Sequence, residues 1–523
     1  MKVRILSLLI ICALLFGCVG CKNQGGTGPN GENPEDVNKN KYISIAYNST
    51  DTFNPFATKT QVNEKMLALI FDSLIKLDEN YIAVNCLAES VEVEGNKCTV
   101  TLKNAQFSDG SAVTAADVVY SFNTAKKTSA KYAAQLKSIV SSNEFSVNTV
   151  EFICEKNDQY MQNLLTFPII KANTDNLKNE DNVEIPPIGC GRYIPNADKT
   201  ELIANNNWHM GIPTVPVIRL ISTYDDESLS HVIEIGAVDM YYTDLSDCNI
   251  LRMSGTRINV TLNNLVFVGI NLANPMLNNV NFRQAISAAI NRSKICEEAY
   301  YTNALPASGV FNPEWEAVER MQTIQPVSNV DIAVENLGKI GYNIKNRDGY
   351  FINSKGDPIS VRLLVNSENQ FRVNAANMIA AQLKTTGIRV IIESVPYEKY
   401  VTRLNNKQFD LYLAEVKILD NMDVSSILCR GGSVAYGIVE QPVPEGENLQ
   451  NAPQNTSSLQ NVINGLYKGE NTVSDIAAMA ISEMPIVPVC YRSGILFCSG
   501  KAGGCTEAQE NDIFYAVDKL VIN

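Results

Sequence analysis

The chain has 523 residues, of which 45% are hydrophobic and 19% charged, and its formal net charge is −13. This composition is typical of a globular protein and provides for two or more hydrophobic cores. The acidic balance, with Lys and Arg dispersed along the chain, argues against nucleic-acid binding. The only histidines are His209 and His231, which argues against a His-rich metal site or a His-based catalytic triad.

The amino-terminal segment predicts export. Lys2 and Arg4 precede the apolar run ILSLLIICALLF, which is short for a bilayer span and has the length of a signal-peptide core. The run ends in LLFGCVGC, which resembles the lipobox of bacterial lipoproteins, whose cysteine becomes the lipidated first residue of the mature chain. Cys18 follows Leu15 at the lipobox spacing and is the expected lipidation site. The alternatives are Cys21, which lacks that leucine, and an ordinary signal peptide with incidental cysteines.

Residues 1–17 are therefore predicted to be a lipoprotein signal peptide, and residues 18–40 the lipidated cysteine with a flexible tether. The tether segment KNQGGTGPNGENPEDVNKN is polar and rich in Gly, Asn and Pro. Such a composition cannot bury enough apolar surface to offset its ordering entropy. A lipid anchor followed by a tether would place the folded part on the outer face of the cytoplasmic membrane.

The cysteines beyond the export region do not form a recognisable framework. They are spread from Cys86 to Cys505 without a Cys-x-x-Cys pair, which favours neither a zinc pattern nor a compact disulfide scaffold. Buried free thiols are the simpler interpretation, and disulfides are the alternative.

The first half of the folded chain begins with an alternating strand and a polar loop over residues 48–54. Residues 62–78, VNEKMLALIFDSLIKLD, have the pattern of an amphipathic helix. The next segment predicts a hairpin that turns at Gly95-Asn96. In residues 105–122, AQFSDGSAVTAADVVYSF, the pattern predicts a strand, a turn and then a helix capped by Thr114.

The second half alternates more regularly between helix and strand patterns. Residues 278–300 and 371–387 predict helices, the second closed by Gly387. Strand-helix-strand units of this length indicate a largely parallel α/β sheet. The polar segment 439–460 predicts a long surface loop. The remaining predicted elements are the strand PISVRLLVN, the strand IRVIIESV, the short helix YEKYVTRLNN and the strand FDLYLAEV.

Several blocks resemble, in the correct order, the bacterial extracellular solute-binding protein family 5, the peptide- and nickel-binding lipoproteins of ABC importers. They are FNPF (53–56), the long block from IFDSLIKLD to ADVVYSF (70–122), PPIGCGRY (186–193) and LVFVGINLANPMLNNVNFRQAISAAINRSKI (265–295). In the third block Cys190 stands where the family motif has Thr, and Arg192 where it has Pro.

The resemblance implies a two-lobed α/β protein of the periplasmic-binding-protein-like fold (type II, large oligopeptide-binding subclass), with a ligand cleft between the lobes. The expected organisation is lobe I over 41–265 with an inserted subdomain over roughly 70–185, lobe II over 266–484, and a return segment over 485–523 that completes lobe I. Chain crossings near residues 265 and 485 would act as hinges. The implied protein is a monomeric receptor, not an enzyme, without a cofactor, which captures an oligopeptide and delivers it to membrane permease subunits.

The resemblance also implies where a ligand would bind. The loop that begins at Ser49 corresponds to backbone that pairs with an extended ligand in the family. After the FDL strand, Ala414-Glu415-Val416 replaces the Gly-Trp of peptide-binding relatives and Asp420 falls one residue late, which leaves the ligand class open. Glu415 or Asp420 would pair with an ammonium group, and Lys417 or Arg492 with a carboxylate. The candidate ligand-binding residues are Ser49, Thr50, Asp51, Phe53, Glu415, Val416, Lys417, Asp420 and Arg492. Solvated charges at strand ends and an ordinary surface turn are the alternative interpretations.

Other functions remain open on the sequence alone. A receptor for an oligosaccharide or another solute would have the same fold, and so would a sensor that does not take part in transport. An exported hydrolase is less favoured, because the chain contains neither a Gly-x-Ser-x-Gly elbow nor a His-Glu-x-x-His motif. The chain also lacks a Gly-x-x-x-x-Gly-Lys-Ser/Thr loop, so any use of ATP must lie in a partner.

Overall fold

The computed structural model describes residues 41–251, 253–319, 328–438 and 458–523. The predicted signal peptide, lipidation sites and tether lie outside these residues, as does the predicted loop up to residue 457. Residues 458–460, the end of that predicted loop, instead begin a helix. None of the described helices is long and apolar enough to cross a membrane.

The described strands are β1 Tyr42–Asn48, β2 Ile75–Leu77, β3 Ala83–Asn85, β4 Ala88–Glu94, β5 Lys97–Leu102, β6 Ile139–Ser146, β7 Thr149–Cys154, β8 Tyr193–Pro195, β9 Glu201–Ala204, β10 Val217–Thr223, β11 Met240–Thr243, β12 Thr256–Ile270, β13 Ala304–Pro306, β14 Ser360–Asn366, β15 Arg389–Val395, β16 Leu411–Lys417, β17 Ile486–Cys498, β18 Ala502–Gly503 and β19 Val521–Ile522.

The described α-helices are α1 Gln61–Leu67, α2 Ala115–Thr128, α3 Ala130–Gln135, α4 Asp226–Glu234, α5 Pro275–Asn278, α6 Val280–Ala289, α7 Arg292–Glu298, α8 Glu316–Glu319, α9 Val330–Lys339, α10 Gln370–Thr386, α11 Tyr397–Asn405, α12 Ser425–Leu428, α13 Ser458–Lys468 and α14 Val473–Glu483. Short 3₁₀ helices span Met161–Leu164 and Tyr515–Lys519.

One large mixed sheet forms the frame of the molecule, in the order β15-β14-β16-β12-β17-β11-β1-β10-β9-β8, with β13 paired to β17. Parallel pairs occur on both sides, where β14 lies beside β15 and β16, and β1 beside β10 and β11. At the centre, β12 is antiparallel to both β16 and β17, and β17 is antiparallel to β11. The strand-helix-strand units of the second half are parallel as predicted, since β14 is parallel to β15 and β16. The sheet as a whole is mixed, because an antiparallel centre joins this group to the parallel strands around β1.

The predicted helix over residues 62–78 is also wrong in its length. Helix α1 ends at Leu67, and the chain then turns and extends into β2, which pairs with β3. The apolar residues beyond Leu67 are buried without a solvent-facing side: Leu69, Ile70, Phe71 and Leu74 are each at most 4% exposed. Tertiary packing has overridden the local helical pattern there.

The predicted helix over residues 278–300 is divided into α6 and α7, and its first residue, Asn278, is the last residue of α5. Helix α6 ends at Ala289, and the side chain of Asn291 accepts a hydrogen bond from the amide of Lys294, which caps the start of α7. The apolar face of α6 is buried, and Phe282 and Ala285 on it are fully covered. The apolar periodicity thus indicates which face of the helix is buried, but not that the helix ends at Ala289.

Three predicted local structures are confirmed. Strands β4 and β5 form the hairpin, with Gly95 at φ 63° in its turn. Helix α2 starts at a capping box in which the amide and hydroxyl of Thr114 both donate to the carboxylate of Asp117. Helix α10 ends at Gly387, whose left-handed φ of 95° is available to glycine at little cost.

The described apolar residues form two main cores, and the central strands contribute to both. Leu265 and Phe267 of β12 pack into the first core, whereas Val266 and Val268 pack into the second. Alternate side chains of a strand point to opposite faces, so β12 separates the two cores while holding them together. Among the described cysteines Cys498 and Cys505 are paired, whereas Cys86, Cys98, Cys154, Cys190, Cys248, Cys296, Cys429 and Cys490 are free thiols.

A buried ion pair attaches the carboxy-terminal segment to the first core. Arg192 is 1% exposed and donates two hydrogen bonds to the carboxylate of Asp512, at 2.8 and 2.9 Å. Lys76 contacts the same carboxylate at 3.0 Å. Because Asp512 is close in sequence to Glu510, this pair also fixes the loop through which Glu510 reaches the cavity described below.

We predict that Arg192→Met destabilises the protein by about 3–5 kcal/mol, because it leaves Asp512 buried with only one of its two cations. The measurement is the free energy of unfolding in urea. Lys294→Met is the matched control: its pair with Glu298 is exposed and is expected to contribute less than about 0.5 kcal/mol. Equal effects of the two variants would contradict a special role for the buried pair.

Candidate functional site

A cavity of about 490 Å³ lies where helices α1 and α3, the end of β16 and the carboxy-terminal loop meet. Its volume is within the range of small-molecule and peptide sites. The lining is rich in charged and hydrogen-bonding side chains. Its principal polar residues are Gln61, Glu64, Lys65, Lys131, Tyr132, Thr166, Tyr242, Asp244, Asn264, Lys417, Asp420 and Glu510.

Local structure explains how these residues reach the cavity. Helix α1 presents Glu64 and Lys65 in adjacent positions, and α3, capped by the Ser129 hydroxyl, presents Lys131 in its first turn. Asn264 follows a register shift in β12 between Thr261 and Leu265. Such irregularities redirect side chains next to sites. Lys417 ends β16, and Asp420 lies in the loop after that strand.

One wall of the cavity carries an ion pair between Glu64 and Lys131, at 2.7 Å. Burial opposes ionisation of Glu64, but Lys131 and Lys65 lower its pKa to about 2. Lys131 also lies over the ring of Tyr132, at 5.0 Å from the centroid. Since a lysine over an aromatic face is attracted by the ring quadrupole, Lys131 is held on two sides and stays protonated.

Glu510 connects several segments at the opposite wall. Its carboxylate accepts hydrogen bonds from the amide of Asn263 at 3.0 Å and the hydroxyl of Tyr81 at 3.1 Å, and pairs with Lys417 at 2.9 Å. Burial opposes its ionisation, but Lys417 lowers the pKa of Glu510 below its usual range. The loop that carries Glu510 is therefore tied to β12 and to the end of β16.

Three charged groups of the cavity, Asp244, Asp420 and Lys65, have no ion-pair partner among the described residues. Asp420 is 5% exposed, and its carboxylate accepts a hydrogen bond from the Thr166 hydroxyl at 3.2 Å. Burial raises the pKa of Asp420, an effect that the nearby Lys417 reduces. Lys65 donates to the main-chain carbonyl of Glu510 at 2.8 Å, and burial lowers its pKa. The described lining thus offers two carboxylates, those of Asp244 and Asp420, to a cation and one ammonium group, that of Lys65, to an anion.

Comparison with known proteins decides the family. The sequence model described as "Bacterial extracellular solute-binding proteins, family 5 Middle" matches residues 83–430. The chain belongs to this family. It is a substrate-binding protein of the class that serves ABC importers, and the family is extracellular by its description. The oligopeptide-binding protein AppA of Bacillus subtilis is 22% identical over 426 residues, which cover 77% of this chain and 78% of AppA.

Solved structures show the same two-lobed α/β fold. The structure of AppA from Bacillus subtilis in complex with a nonapeptide has a TM-score of 0.57 and 18% identity, and covers 92% of this chain and 99% of AppA. NikA from Brucella suis in complex with Fe(III)-EDTA has a TM-score of 0.67 and 16% identity, with 92% and 100% covered. At these identities the structures establish the fold.

In this solute-binding protein, two of the residues singled out from the sequence, Lys417 and Asp420, line the cavity. Glu415 and Arg492 lie together nearby and pair with each other at 2.7 Å. Glu415 also accepts a hydrogen bond from Asn264 at 2.8 Å, so both members of the pair already have partners within the protein. Val416 packs, partly buried, against the first core.

The predicted loop residues lie outside the cavity lining and hold the loop together. The amide of Ser49 donates to the carbonyl of Thr223, and the amide of Thr50 donates to the side chain of Asn48. The carboxylate of Asp51 accepts hydrogen bonds from the loop residues 58–60. Phe53 is 1% exposed and belongs to the first core.

The sequence does not single out seven charged residues of the cavity, which are Glu64, Lys65, Lys76, Lys131, Asp244, Glu510 and Asp512. The helical pattern places Glu64 and Lys65 on the polar side of a helix, and nothing singles out Lys131 or Glu510. Their signal is weak because a charge on a short helix or in a loop is usually solvated. What distinguishes them is that residues separated by hundreds of positions meet at one cavity, which only the fold shows.

We predict that Glu510→Gln and Asp420→Asn change the pH dependence of stability in opposite directions. The folded pKa of Glu510 lies below its usual value of about 4.3, so its contribution is present above that pH and is lost as the pH falls through the folded pKa. The folded pKa of Asp420 is raised, so its ionisation reduces stability as the pH rises through that pKa.

Glu510→Gln is therefore expected to lower the free energy of unfolding near pH 7, and Asp420→Asn to increase it, each by on the order of 1 kcal/mol. Both differences should shrink toward about pH 3, where carboxyl groups are protonated in the unfolded chain. Urea unfolding at several pH values measures this. A loss of stability in Asp420→Asn near pH 7 would refute the assignment of Asp420 as an energetically costly carboxylate.

Proposed function

We propose that this protein is a lipid-anchored receptor of an ABC importer that captures short peptides and delivers them to permease subunits. Asp420 and Lys65 are the main support for this proposal, because they line one cavity and neither has an ion-pair partner among the described residues. A peptide has an ammonium group at one end and a carboxylate at the other. Asp420 would accept the first and Lys65 would bind the second.

The size of the cavity supports a short ligand. A volume of 490 Å³ corresponds to a sphere about 10 Å across, and an extended chain advances about 3.3–3.6 Å per residue. The cavity therefore has room for about three residues along its length. Tyr132, Tyr242 and Phe71 in its lining would contact side chains with little preference between them. The relative AppA is an oligopeptide-binding protein, which supports the same ligand class.

The proposed movement follows the organisation expected from the sequence, with lobes over 41–265 and 266–484 and a return segment over 485–523. Ligand that contacts α1 and α3 on one side and the β16 loop on the other would stabilise the closed arrangement over the open one. Binding strength would then depend on charges from both sides of the cavity, whereas residues within either core would affect stability alone.

We predict that the full-length chain, purified in detergent, binds a neutral tripeptide and loses at least tenfold in affinity when the amino terminus is acetylated or the carboxy terminus amidated. Asp420→Asn should abolish the effect of acetylation, and Lys65→Met the effect of amidation. Calorimetry measures both. Asp348→Asn, at an exposed turn, is the matched control and should change neither preference.

Other outcomes of this experiment would identify other functions. If Glu415→Gln, not Asp420→Asn, abolishes the effect of acetylation, the ammonium group binds at Glu415. If no tripeptide binds but an oligosaccharide or a nickel chelate shifts thermal unfolding, the proposed ligand class is wrong while the family stands. Binding that survives both terminal blocks would contradict recognition of the peptide ends.

The anchoring step has its own prediction. Cys18→Ala should abolish incorporation of labelled palmitate in a bacterial host, because the lipobox cysteine is the residue that receives the lipid. Cys21→Ala, three residues later, is the control and should be labelled like the unaltered chain. Labelling that persists in Cys18→Ala and disappears in Cys21→Ala would move the anchor to Cys21.

A further inference from the structure

A second cluster of functional side chains lies behind the cavity wall. A carboxylate oxygen of Asp72, the sulfur of Cys86 and a ring nitrogen of His209 all lie within 4.8 Å of one another. The three residues come from separate segments: the turn before β2, the connection between β3 and β4, and the loop after β9. None of them lines the solute cavity, so the cluster is distinct from the solute site.

The cluster is buried and its hydrogen bonding is incomplete. The side chain of Asp72 is fully buried and that of His209 is 3% exposed. One oxygen of Asp72, Oδ2, accepts a hydrogen bond from Trp208 Nε1 at 2.7 Å and lies 3.1 Å from His209 Nε2. The other, Oδ1, forms an ion pair with Lys76 Nζ at 3.2 Å, whereas His209 Nδ1 has no hydrogen-bond partner among the described residues. A buried polar atom without a partner is costly, which favours a ligand at His209.

Charge also favours a cation at this position. Around the cluster lie the carboxylates of Asp72, Asp512 and Asp518 and the cations of Lys76 and Arg192. The acids exceed the bases by one. A divalent cation bound with Cys86 as thiolate adds one net positive charge and brings the group to neutrality.

We propose that Asp72, Cys86 and His209 form a binding site for a divalent transition-metal ion of the zinc type. Thiolate, imidazole and carboxylate together are the ligands that zinc takes in proteins. Trp208 would orient the Asp72 carboxylate through its indole N–H.

Metal binding requires Cys86 to lose a proton, the ligand atoms to move slightly and Lys76 to release Asp72. A thiol binds a metal ion as the thiolate, so Cys86 must release its proton on binding. The incoming cation displaces that proton, which leaves to solvent, and a metal–sulfur bond forms. Zinc bond lengths place ligand atoms about 3.3–3.8 Å apart. The 3.1 Å separation of Asp72 Oδ2 and His209 Nε2 must therefore widen slightly, whereas a pair at the 4.8 Å limit of the cluster must close by about 1 Å. Lys76 gives up Asp72 and keeps Asp512, which it already contacts at 3.0 Å.

The consequence is structural. The site joins two neighbouring segments, at Asp72 and Cys86, to a third segment more than a hundred residues later, at His209, immediately behind the wall that includes Lys76 and Asp512. Metal that binds the folded chain and not the unfolded one raises the stability of the fold. This site would therefore affect the stability of the protein and leave the choice of solute unchanged.

The test uses the full-length chain, stripped of metal under reducing conditions and then given Zn²⁺ or Co²⁺. We expect Zn²⁺ to raise the midpoint of thermal unfolding and Co²⁺ to give a thiolate-to-cobalt charge-transfer band. His209→Gln and Cys86→Ala should each weaken zinc binding at least tenfold and remove the thermal shift. His231→Gln and Cys98→Ala, the matched controls, should retain both, since His231 is the other histidine and Cys98 another buried free thiol.

The proposal is overturned if the unaltered chain shows no thermal shift with Zn²⁺, or if His209→Gln keeps the shift of the unaltered chain. If Cys86→Ala does not fold, the decision rests on His209→Gln and on alkylation of the unaltered chain. There, bound Zn²⁺ should protect Cys86 and leave the alkylation of Cys98 unchanged. Equal alkylation of Cys86 with and without Zn²⁺ would refute the assignment.

Discussion

The antiparallel pairing of β12 with β17 is the constraint on which the rest of the structure depends. These strands, Thr256–Ile270 and Ile486–Cys498, lie side by side in the centre of the large sheet, and every residue of β17 is buried. On one side they connect to β16 and its parallel neighbours, and on the other to β11 and β1. A strand buried on both faces must be largely apolar, and each of its faces serves a different core. The pair thus joins the two cores in one sheet.

The cavity lies beside this pair because that is where segments from distant parts of the chain end. Charged side chains in such a place reduce stability unless each has a partner, and most of those in the described lining are paired. In the Glu64–Lys131 and Lys417–Glu510 pairs, each charge has a partner of opposite sign within the protein. Asp244, Asp420 and Lys65 have no such partner among the described residues, and the proposed peptide ligand would supply opposite charges to Asp420 and Lys65. The same principle applies behind the wall, where His209 retains a ring nitrogen without a hydrogen bond from the described residues. Incomplete pairing in a well-packed interior therefore points to bound groups.

Local sequence signals are sufficient for elements whose ends are set by a cap or a turn. The hairpin at Gly95, the capping box at Thr114 and the end of α10 at Gly387 each depend on residues within a few positions. These signals fail where tertiary burial competes with local preference. The apolar run after Leu67 is buried as a turn and an extended chain, and the pattern over 278–300 is divided by the cap at Asn291. The sequence does not predict the antiparallel centre of the sheet. Strand-helix-strand patterns relate strands that are neighbours in sequence, whereas β12 and β17 are more than two hundred residues apart.

For the site, the sequence located the segment that ends β16, and Lys417 and Asp420 from that segment do reach the cavity. It also singled out Glu415 and Arg492, which the fold instead pairs with each other. By itself the sequence determined the family, through ordered motifs over most of the folded chain, because motif order survives when individual residues change. Only the tertiary structure decided which charges face the solute cavity and which neutralise one another. The physical reason is that the energy of a charge depends on its burial and its neighbours, and these come from segments that the sequence does not place together.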